Sequence, residues 1–206
     1  LEGIGRSFTI RERNERKMKK LRVGMIGATG MVGQRFITLL KDHPWFEVTL
    51  LAASENSCGK TYSEAVAGRW LMGEVIPLNI AGMKVRNALD VKDIANEVDF
   101  VFSAISLDKE KTKQLEETYA KCETPVVSNN SAHRGTPDVP MVIPEVNWSH
   151  LQIIESQRKR LRTKRGFIAT KPNCSIQSYV PAIHALQGFC PVQVVVSTYQ
   201  AVSGAG

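Results

Sequence analysis

The segment that decides the fold is residues 21–33, which read LRVGMIGATGMVG. Its first six residues are an apolar run of strand length, and Gly27, Gly30 and Gly33 indicate a tight turn. The apolar residues from the turn onward recur at helical spacing: Val32, Phe36, Leu39 and Leu40. Strand, glycine turn and helix are typical of the first unit of a dinucleotide-binding fold, in which a pyrophosphate rests on the helix N-terminus. The spacing G-x-x-G-x-x-G is not the usual G-x-G-x-x-G, so a tight turn without a ligand stays the alternative interpretation.

Further strands and helices alternate along the chain. Apolar runs predict strands at residues 48–53, 75–78, 83–86, 98–105 and 125–127. A lysine-rich stretch predicts a surface helix at residues 108–121. This alternation predicts right-handed crossovers between parallel strands. The expected fold class is α/β, with a Rossmann-type doubly wound, mostly parallel sheet.

The residues that follow the second predicted strand indicate which dinucleotide is bound. NAD-specific folds usually place an Asp or Glu there to bind the ribose 2′-hydroxyl. Residues 54–60 read SENSCGK, and two hydroxyls, a glycine turn and a lysine suit a 2′-phosphate, although Glu55 leaves NAD open. The sequence therefore favours NADP, with Ser54, Asn56 and Ser57 as candidate cofactor-binding residues. A polar turn without a ligand is the alternative.

A cysteine stands where a strand gives way to a helix. The stretch TKPNCSIQ, residues 170–177, joins a predicted strand at 166–170 to a predicted helix at 175–187. At a helix N-terminus the unpaired N–H groups and the dipole favour an anion, so we expect Cys174 to form a nucleophilic thiolate. The alternative interpretation is a buried cysteine that only packs.

A polar loop, SNNSAHR at residues 128–134, follows the strand predicted at 125–127. Ligands of doubly wound sheets bind at the carboxyl ends of strands, so this loop is a candidate site. Arg134 is suited to hold a phosphate or carboxylate with two hydrogen bonds. An exposed arginine on a solvated loop is the alternative.

The net charge of +7 is concentrated in two segments. Residues 1–20 contribute +4 and residues 158–165 contribute +6, so the remainder carries −3. A mildly acidic body with two basic patches does not resemble a nucleic-acid-binding surface, which carries basic residues along one face. We therefore expect a small-molecule substrate and no nucleic acid, and we interpret residues 158–165 as a solvated basic face.

The four cysteines form no C-x-x-C pair and no metal-ligand spacing. Their small number favours a reducing, cytoplasmic location, and no metal site is predicted. No run approaches the ~18 apolar residues of a membrane span, so no membrane partner is expected.

The sequence divides into three parts. Residues 1–20 are expected to be a basic extension, disordered or derived from expression, because Met18 resembles a natural start. Residues 21–173 are predicted to form the NADP-binding domain. Residues 174–206 are predicted to begin a second domain, with a strand at 192–201 and an unfinished glycine loop at 202–206.

Four blocks now stand in order: GATGMVG at 27–33, NNSAHR at 129–134, KPNCS at 171–175 and STYQAVSGAG at 197–206. Over residues 21–206 they resemble aspartate-semialdehyde dehydrogenases, particularly the archaeal and fungal-like branch. The first block is shared by many dinucleotide folds, whereas the last two are specific. The resemblance implies a Rossmann domain followed by an α+β catalytic and dimerisation domain that is cut off here. It also implies a homodimer or homotetramer at full length.

The resemblance implies a reaction and its residues. NADPH would reversibly reduce 4-phospho-L-aspartate to L-aspartate 4-semialdehyde and phosphate, a step of lysine, threonine and methionine biosynthesis. Cys174 would attack the acyl phosphate and form a thioester, while Gln200 would orient the substrate. Arg134 and Asn173 would hold the departing phosphate.

The cofactor contacts implied by the resemblance lie in two loops. Thr29, Gly30, Met31 and Val32 would cradle the pyrophosphate, and Ser203 and Gly204 would approach the nicotinamide. Family members often carry a basic residue where Asn56 stands, which leaves the choice between NADP and NAD less strict.

The acid/base histidine and the residues that bind the substrate carboxylate would lie beyond Gly206. His133 and His184 do not replace that histidine: His184 is expected to be structural, and His133 does not match the general base. The 206-residue chain alone is therefore expected to bind NADP with little or no turnover.

Two alternatives stay open. A malonyl- or succinyl-CoA reductase of the same fold would also use a cysteine thioester and NADPH. Asn173 and Arg134 favour the acyl phosphate, because a CoA thioester releases no phosphate. A non-catalytic, truncated nucleotide-binding module is the alternative from a different class.

Overall fold

The computed structural model describes residues 19–199. Its strands are β1 (Leu21–Ile26), β2 (Phe46–Ala53), β3 (Val85–Asn87), β4 (Phe100–Ser103), β5 (Val126–Ser128) and β6 (Ile168–Thr170). Its helices are α1 (Met31–Leu40), α2 (Tyr62–Ala65), α3 (Leu78–Ala81), α4 (Val91–Glu97), α5 (Lys109–Lys121), α6 (Pro144–Asn147), α7 (Ile154–Leu161) and α8 (Cys174–Ala185). Short 3₁₀ turns lie at Glu55–Ser57, Trp148–Ile153 and Gln187–Phe189.

All six strands belong to one parallel sheet in the order β3-β2-β1-β4-β5-β6. In register, Met25 of β1 pairs with Leu51 of β2 on one side and with Phe102 of β4 on the other. The strand order reverses between β1 and β4, which makes this pair the topological switch point of a doubly wound sheet. The predicted α/β Rossmann-type class is confirmed.

The sheet is buried on both faces because neighbouring residues of one strand pack into different cores. Met25 and Leu51 belong to the core beneath α1, α2 and α3, which also includes Ile37 and Tyr62. Ile26 and its neighbours Leu50, Ala52 and Val101 belong to the opposite core beneath α4, α5 and α7. Strands such as β1, whose last four residues are all buried, are typical of parallel sheets covered on both sides.

Two predicted strands are wrong. Residues 192–199 form no strand, because within residues 19–199 they meet no neighbouring strand; the side chains of Val192 and Tyr199 are fully exposed. Residues 200 and 201 of that prediction lie outside the described part. Residues 75–78 form no strand either, because Pro77 lacks an N–H donor and instead precedes the first turn of α3. The strand predicted at residues 83–86 is found, slightly shifted, as β3.

The sequence does not predict helix α4. It is only seven residues long, and Val91 and Ile94 are its buried residues. Two apolar positions are too few to reveal a helical period. No helix within residues 19–199 is long and apolar enough to cross a membrane.

Candidate active site

The glycine turn after β1 is held by close packing. Gly27 has φ +85°, and a β-carbon on it would collide with the Ala104 carbonyl at the end of β4. A β-carbon on Gly33 would collide with the Gly27 carbonyl, so this glycine lets α1 pack against the turn. Gly30 differs: the nearest atom to a β-carbon there is 3.6 Å away, an ordinary contact. Packing therefore explains Gly27 and Gly33, and Gly30 is left for a close approach from outside.

A cavity of about 260 Å³ opens directly above this turn. It lies at the carboxyl ends of β1, β2, β3 and β4 and is lined by Gly27, Thr29, Gly30, Ala53, Ser54, Glu55, Asn87, Ala88, Leu89, Ala104, Ile105, Ser106 and Leu107. It spans the switch point, where doubly wound sheets bind their ligands. Of the predicted cofactor residues it contains Gly27, Thr29, Gly30 and Ser54.

Four more of the predicted cofactor residues, Met31, Val32, Asn56 and Ser57, belong to segments next to this cavity and do not line it. Met31 and Val32 form the exposed start of α1. Asn56 is exposed and Ser57 is 4% exposed, both within the 3₁₀ turn after β2. The Lys60 ammonium donates to the Asn56 carbonyl at 3.0 Å, which brings a cation to this tip.

Two side chains that fix the glycine turn could not be predicted from the sequence. The buried Gln34 donates from Nε2 to the carbonyls of Thr29 and Arg69 at 3.1 and 2.8 Å. The buried Tyr62 hydroxyl donates to the Ala28 carbonyl at 2.9 Å, and burial raises the pKa of Tyr62. Both side chains join segments that are distant in sequence, so no local pattern reveals them.

These features fit a dinucleotide. Gly30 leaves open space at the turn, and the cavity lies at the start of the ten-residue helix α1. Lys60 lies near the carboxyl end of β2. Together they are suited to receive a pyrophosphate at the turn and the adenosine side of a dinucleotide in the cavity.

Cys174 lies at the N-terminus of a helix, as predicted; α8 begins at Cys174 itself, one residue before the predicted start. Asn173 is the N-cap residue, and its Oδ1 accepts the Ser175 N–H at 2.9 Å. The same oxygen lies 3.8 Å from the Cys174 sulfur. The side chain of Cys174 is exposed in the described part of the chain, contrary to the alternative interpretation of a buried packing cysteine.

Arg134 connects the end of β5 to the segment that carries the cysteine. Its Nε donates to the Lys171 carbonyl at 3.1 Å, and its Nη2 lies 3.4 Å from the Asn129 carbonyl. The Lys171 N–H in turn donates to the Ser128 carbonyl at 3.1 Å. Arg134 is therefore half-buried and anchored, not an exposed arginine on a solvated loop.

The cofactor cavity and the cysteine lie at the same edge of the sheet. The cavity reaches the end of β4, and Cys174 follows β6, which is two strands away. Adjacent strands are about 4.8 Å apart, so the two strand ends are separated by about 10 Å. The Asn129 N–H, which donates to the Ser103 carbonyl at 2.8 Å, links the intervening strand ends.

Neither histidine near the site is placed to act as the base for Cys174. His133 is 1% exposed, with Nδ1 3.1 Å from the Thr136 hydroxyl and Nε2 3.4 Å from the Lys113 carbonyl. Burial lowers the pKa of His133 despite the nearby Glu116 carboxylate. His184 lies ten residues along α8 from the cysteine, which corresponds to about 15 Å.

A buried carboxylate beneath the Arg134 loop was also missed. Glu116 on α5 is 1% exposed, and its Oε1 accepts the Ser128 hydroxyl at 2.7 Å and the Asn130 amide at 2.9 Å. The Asn130 amide also donates to the Ser103 hydroxyl at 3.1 Å. Glu116 thus ties the ends of β4 and β5 together; its position on a charged surface helix concealed this contribution.

Three predicted site residues, Gln200, Ser203 and Gly204, lie outside residues 19–199. Within that range, no group of three or more His, Cys, Asp or Glu side chains is arranged to hold a metal ion.

The family profile described as "Semialdehyde dehydrogenase, NAD binding domain" matches residues 22–154. The aspartate-semialdehyde dehydrogenase of Schizosaccharomyces pombe is 44% identical over 187 residues, 90% of this chain and 51% of that protein. The malonyl CoA reductase (NADP) of Metallosphaera sedula is 39% identical over 189 residues, 91% and 51% of the two chains. The crystal structure of aspartate semialdehyde dehydrogenase with NADP from Candida albicans has a TM-score of 0.72 at 35% identity, covering 84% of this chain and 48% of that one.

The chain spans about half the length of the curated relatives it matches. The matched profile contains the glycine turn, the cavity and the Arg134 loop, and the relatives confirm the resemblance expected from the four sequence blocks. The chain therefore belongs to the semialdehyde dehydrogenase family, and its residues 22–154 form the NAD-binding domain of that family.

Proposed function

We propose that this chain binds NADP and supplies the nucleophile of an aspartate-semialdehyde dehydrogenase. The reaction is the reversible, NADPH-dependent reduction of 4-phospho-L-aspartate to L-aspartate 4-semialdehyde and phosphate. The observation that carries the proposal is Cys174, exposed at the first position of α8 and at the same sheet edge as the dinucleotide cavity. The names of the relatives from S. pombe and C. albicans support the same reaction.

The residues of this chain divide the first chemical step among themselves. The Cys174 thiolate attacks the acyl carbon, a C–S bond forms, and the acyl C–O bond breaks so that phosphate leaves with the electron pair. The Asn173 amide N–H₂ makes no hydrogen bond within residues 19–199, so it is available to the acyl or phosphoryl oxygens. Arg134 stabilises the departing charge.

Backbone groups, more than side chains, would hold the cofactor. The turn at Gly27, Thr29 and Gly30 would receive the pyrophosphate. Ser54 and Lys60 would receive the ribose 2′-phosphate and so favour NADP over NAD. When bound, NADPH supplies the hydride that reduces the thioester to the level of the aldehyde.

The second candidate function is a CoA-dependent reductase, favoured by the similarity to the malonyl CoA reductase (NADP) of M. sedula. Both enzymes would pass through a thioester on Cys174, so the cysteine does not separate them. The acyl donor does, because one leaving group is phosphate and the other is a CoA thiolate.

Acylation of the 206-residue chain tests the proposal without requiring hydride transfer. The chain is incubated with 4-phospho-L-aspartate, and in parallel with malonyl-CoA, and its peptides are analysed by mass spectrometry. We expect one aspartyl group on Cys174, with release of one equivalent of phosphate. Cys174→Ser should abolish the thioester, and Cys190→Ser should retain it, since Cys190 is exposed but lies away from a helix start.

The outcomes separate the three interpretations. An aspartyl thioester on Cys174 supports the proposed reaction. A malonyl thioester alone would establish the CoA-dependent alternative. No acylation by either donor, together with NADPH binding in a fluorescence titration, would show a nucleotide-binding module without this chemistry.

A further inference from the structure

Lys171 is a positively charged residue at the sheet edge that carries Cys174, and the sequence alone gives it no role. It follows β6 directly and precedes Cys174 by three residues. Its backbone is held on both sides, because its N–H donates to the Ser128 carbonyl and its carbonyl accepts from Arg134 Nε, each at 3.1 Å. The position of Lys171 relative to the cysteine segment is therefore set by the sheet and by Arg134.

The Lys171 side chain is half-buried but poorly satisfied. Its ammonium donates to the Pro172 carbonyl at 3.3 Å, the one hydrogen bond that it makes within residues 19–199. An ammonium has three donors. Two N–H groups are therefore available for a ligand next to Cys174.

The charges around Lys171 are unbalanced. Burial lowers the pKa of Lys171, the Arg134 guanidinium lowers it further, and the Cys174 side chain acts in the opposite direction. Elsewhere Arg22, Arg86 and Arg160 each pair with a carboxylate. Among residues 19–199, Arg134 and Lys171 have no carboxylate within salt-bridge distance, so a bound anion would remove their mutual repulsion.

We propose that Lys171 is a specificity-determining residue: with Arg134 it forms a two-cation pocket for the phosphoryl group that leaves when Cys174 is acylated. The inference rests on the proposed function and extends it to the choice of acyl donor. A phosphate presents several anionic oxygens to two cations, whereas a CoA thiolate presents one sulfur. Lys171 thereby favours the acyl phosphate over the CoA thioester.

The test measures phosphate binding without turnover. Alkylation of Cys174 by iodoacetamide is followed by peptide mass spectrometry at increasing inorganic phosphate, with ionic strength held constant by chloride. Phosphate should slow alkylation of Cys174 in the unmodified chain. The phosphate concentration that halves the alkylation rate should be about tenfold higher for Lys171→Gln than for the original chain. For Lys171→Arg it should lie within about threefold of the original value.

Lys92→Gln is the matched control, because Lys92 is an exposed lysine of α4 with no role in the site. Its half-protection concentration should equal that of the unmodified chain. The inference would be overturned if phosphate protected Lys171→Gln as well as it protects the chain without a substitution. A shift in Lys92→Gln as large as that in Lys171→Gln would also overturn it, as would a lack of any protection in the chain without a substitution. These results do not depend on acylation by 4-phospho-L-aspartate, so failure of the pocket and failure of the proposed reaction are observed separately.

Discussion

In the proposed reaction, Asn173 would perform two tasks with the two polar atoms of one amide. Its Oδ1 caps α8 by accepting the Ser175 N–H at 2.9 Å, which stabilises the helix start that carries Cys174. Its amide N–H₂ group makes no hydrogen bond within residues 19–199 and would bind the substrate in the proposed reaction. A substitution can therefore keep the helix cap and remove the N–H₂ donor, since other side chains cap a helix without carrying an N–H₂ group.

Replacing Asn173 should separate these tasks. Asn173→Ser keeps a capping oxygen, so its free energy of unfolding should stay within about 0.5 kcal/mol of the original. Asn173→Ala removes the cap and should lower it by about 1 kcal/mol. Both variants lose the N–H₂ donor and should acylate Cys174 about tenfold or more slowly. Urea unfolding and the acylation assay measure the two effects, and unchanged acylation in Asn173→Ser would refute the substrate role.

The site residues that can be predicted from the sequence are those whose positions are set by the residues next to them in the chain. Cys174 can be placed from sequence because a strand, a proline and an apolar helical period surround it, and Arg134 because it follows a strand end. Lys171 stands in a quoted motif, but its proximity to Arg134 depends on β5 and β6 being neighbours. Gln34 and Glu116 act on backbone or side chains brought together by the whole sheet, which no window of sequence contains.

The β1–α1 unit distinguishes glycines required for packing from a glycine left open for a ligand. Gly33 allows α1 to pack against the Gly27 carbonyl, whereas Gly30 lines the cavity without close contacts. Both positions look alike in the motif. The unit therefore combines a structural constraint and a binding constraint within four residues.

Alanine at these two glycines should have opposite consequences. Gly33→Ala should lower the free energy of unfolding by about 1–3 kcal/mol, because the added methyl collides with backbone. Gly30→Ala should leave stability within about 0.5 kcal/mol, since its φ of −75° suits alanine. It should weaken NADPH binding about tenfold, because the methyl would occupy the place where the pyrophosphate approaches. Thermal unfolding and NADPH fluorescence test both, and an unchanged Kd for Gly30→Ala would contradict this location of the cofactor.

Element prediction succeeded where a segment carried its own period and end signals. For α5, predicted at residues 108–121, Asp108 is the N-cap and the helix spans Lys109–Lys121. Prediction failed at residues 192–199, because β-propensity produces a strand only when a neighbouring strand supplies hydrogen bonds. It also missed α4, whose short length gave too few apolar positions.

Across the whole molecule, the basic run at residues 158–165 is mostly exposed, as expected for a solvated face, but a few contacts attach it to the rest of the domain. Arg160 pairs with Asp138 at 2.5 Å and with Glu117 at 2.8 Å. Glu123, just beyond α5, accepts the N–H groups of Lys164, Arg165 and Gly166 at 2.6–3.1 Å. These contacts fasten α5 to the segment that leads into β6, and of the six basic side chains in the run Arg160 alone forms an ion pair within residues 19–199.

The Glu123 contacts predict how stability depends on pH. The N–H groups of Lys164, Gly166 and Arg165 hold the pKa of Glu123 below its ordinary value. A carboxyl with a lowered native pKa stabilises the fold fully above its unfolded value of about 4.3, and the stabilisation is lost as pH falls through the lower native pKa. Acid should therefore weaken this connection before it affects neutral hydrogen bonds.

Glu123→Gln should reduce the free energy of unfolding at pH 7 by about 1–2 kcal/mol, because a neutral acceptor replaces a charged one that holds three donors, and solvent screens part of that charge. At pH 3 the difference from the original chain should shrink, since protonation removes the same charge from Glu123. Glu110→Gln is the control: its 3.4 Å pair with Lys113 is exposed, so its effect should stay within about 0.5 kcal/mol at both pH values. Urea unfolding at the two pH values measures these differences. An equal loss for Glu123→Gln at pH 7 and pH 3 would show that the charge of Glu123 does not fasten α5 to the strand beyond it.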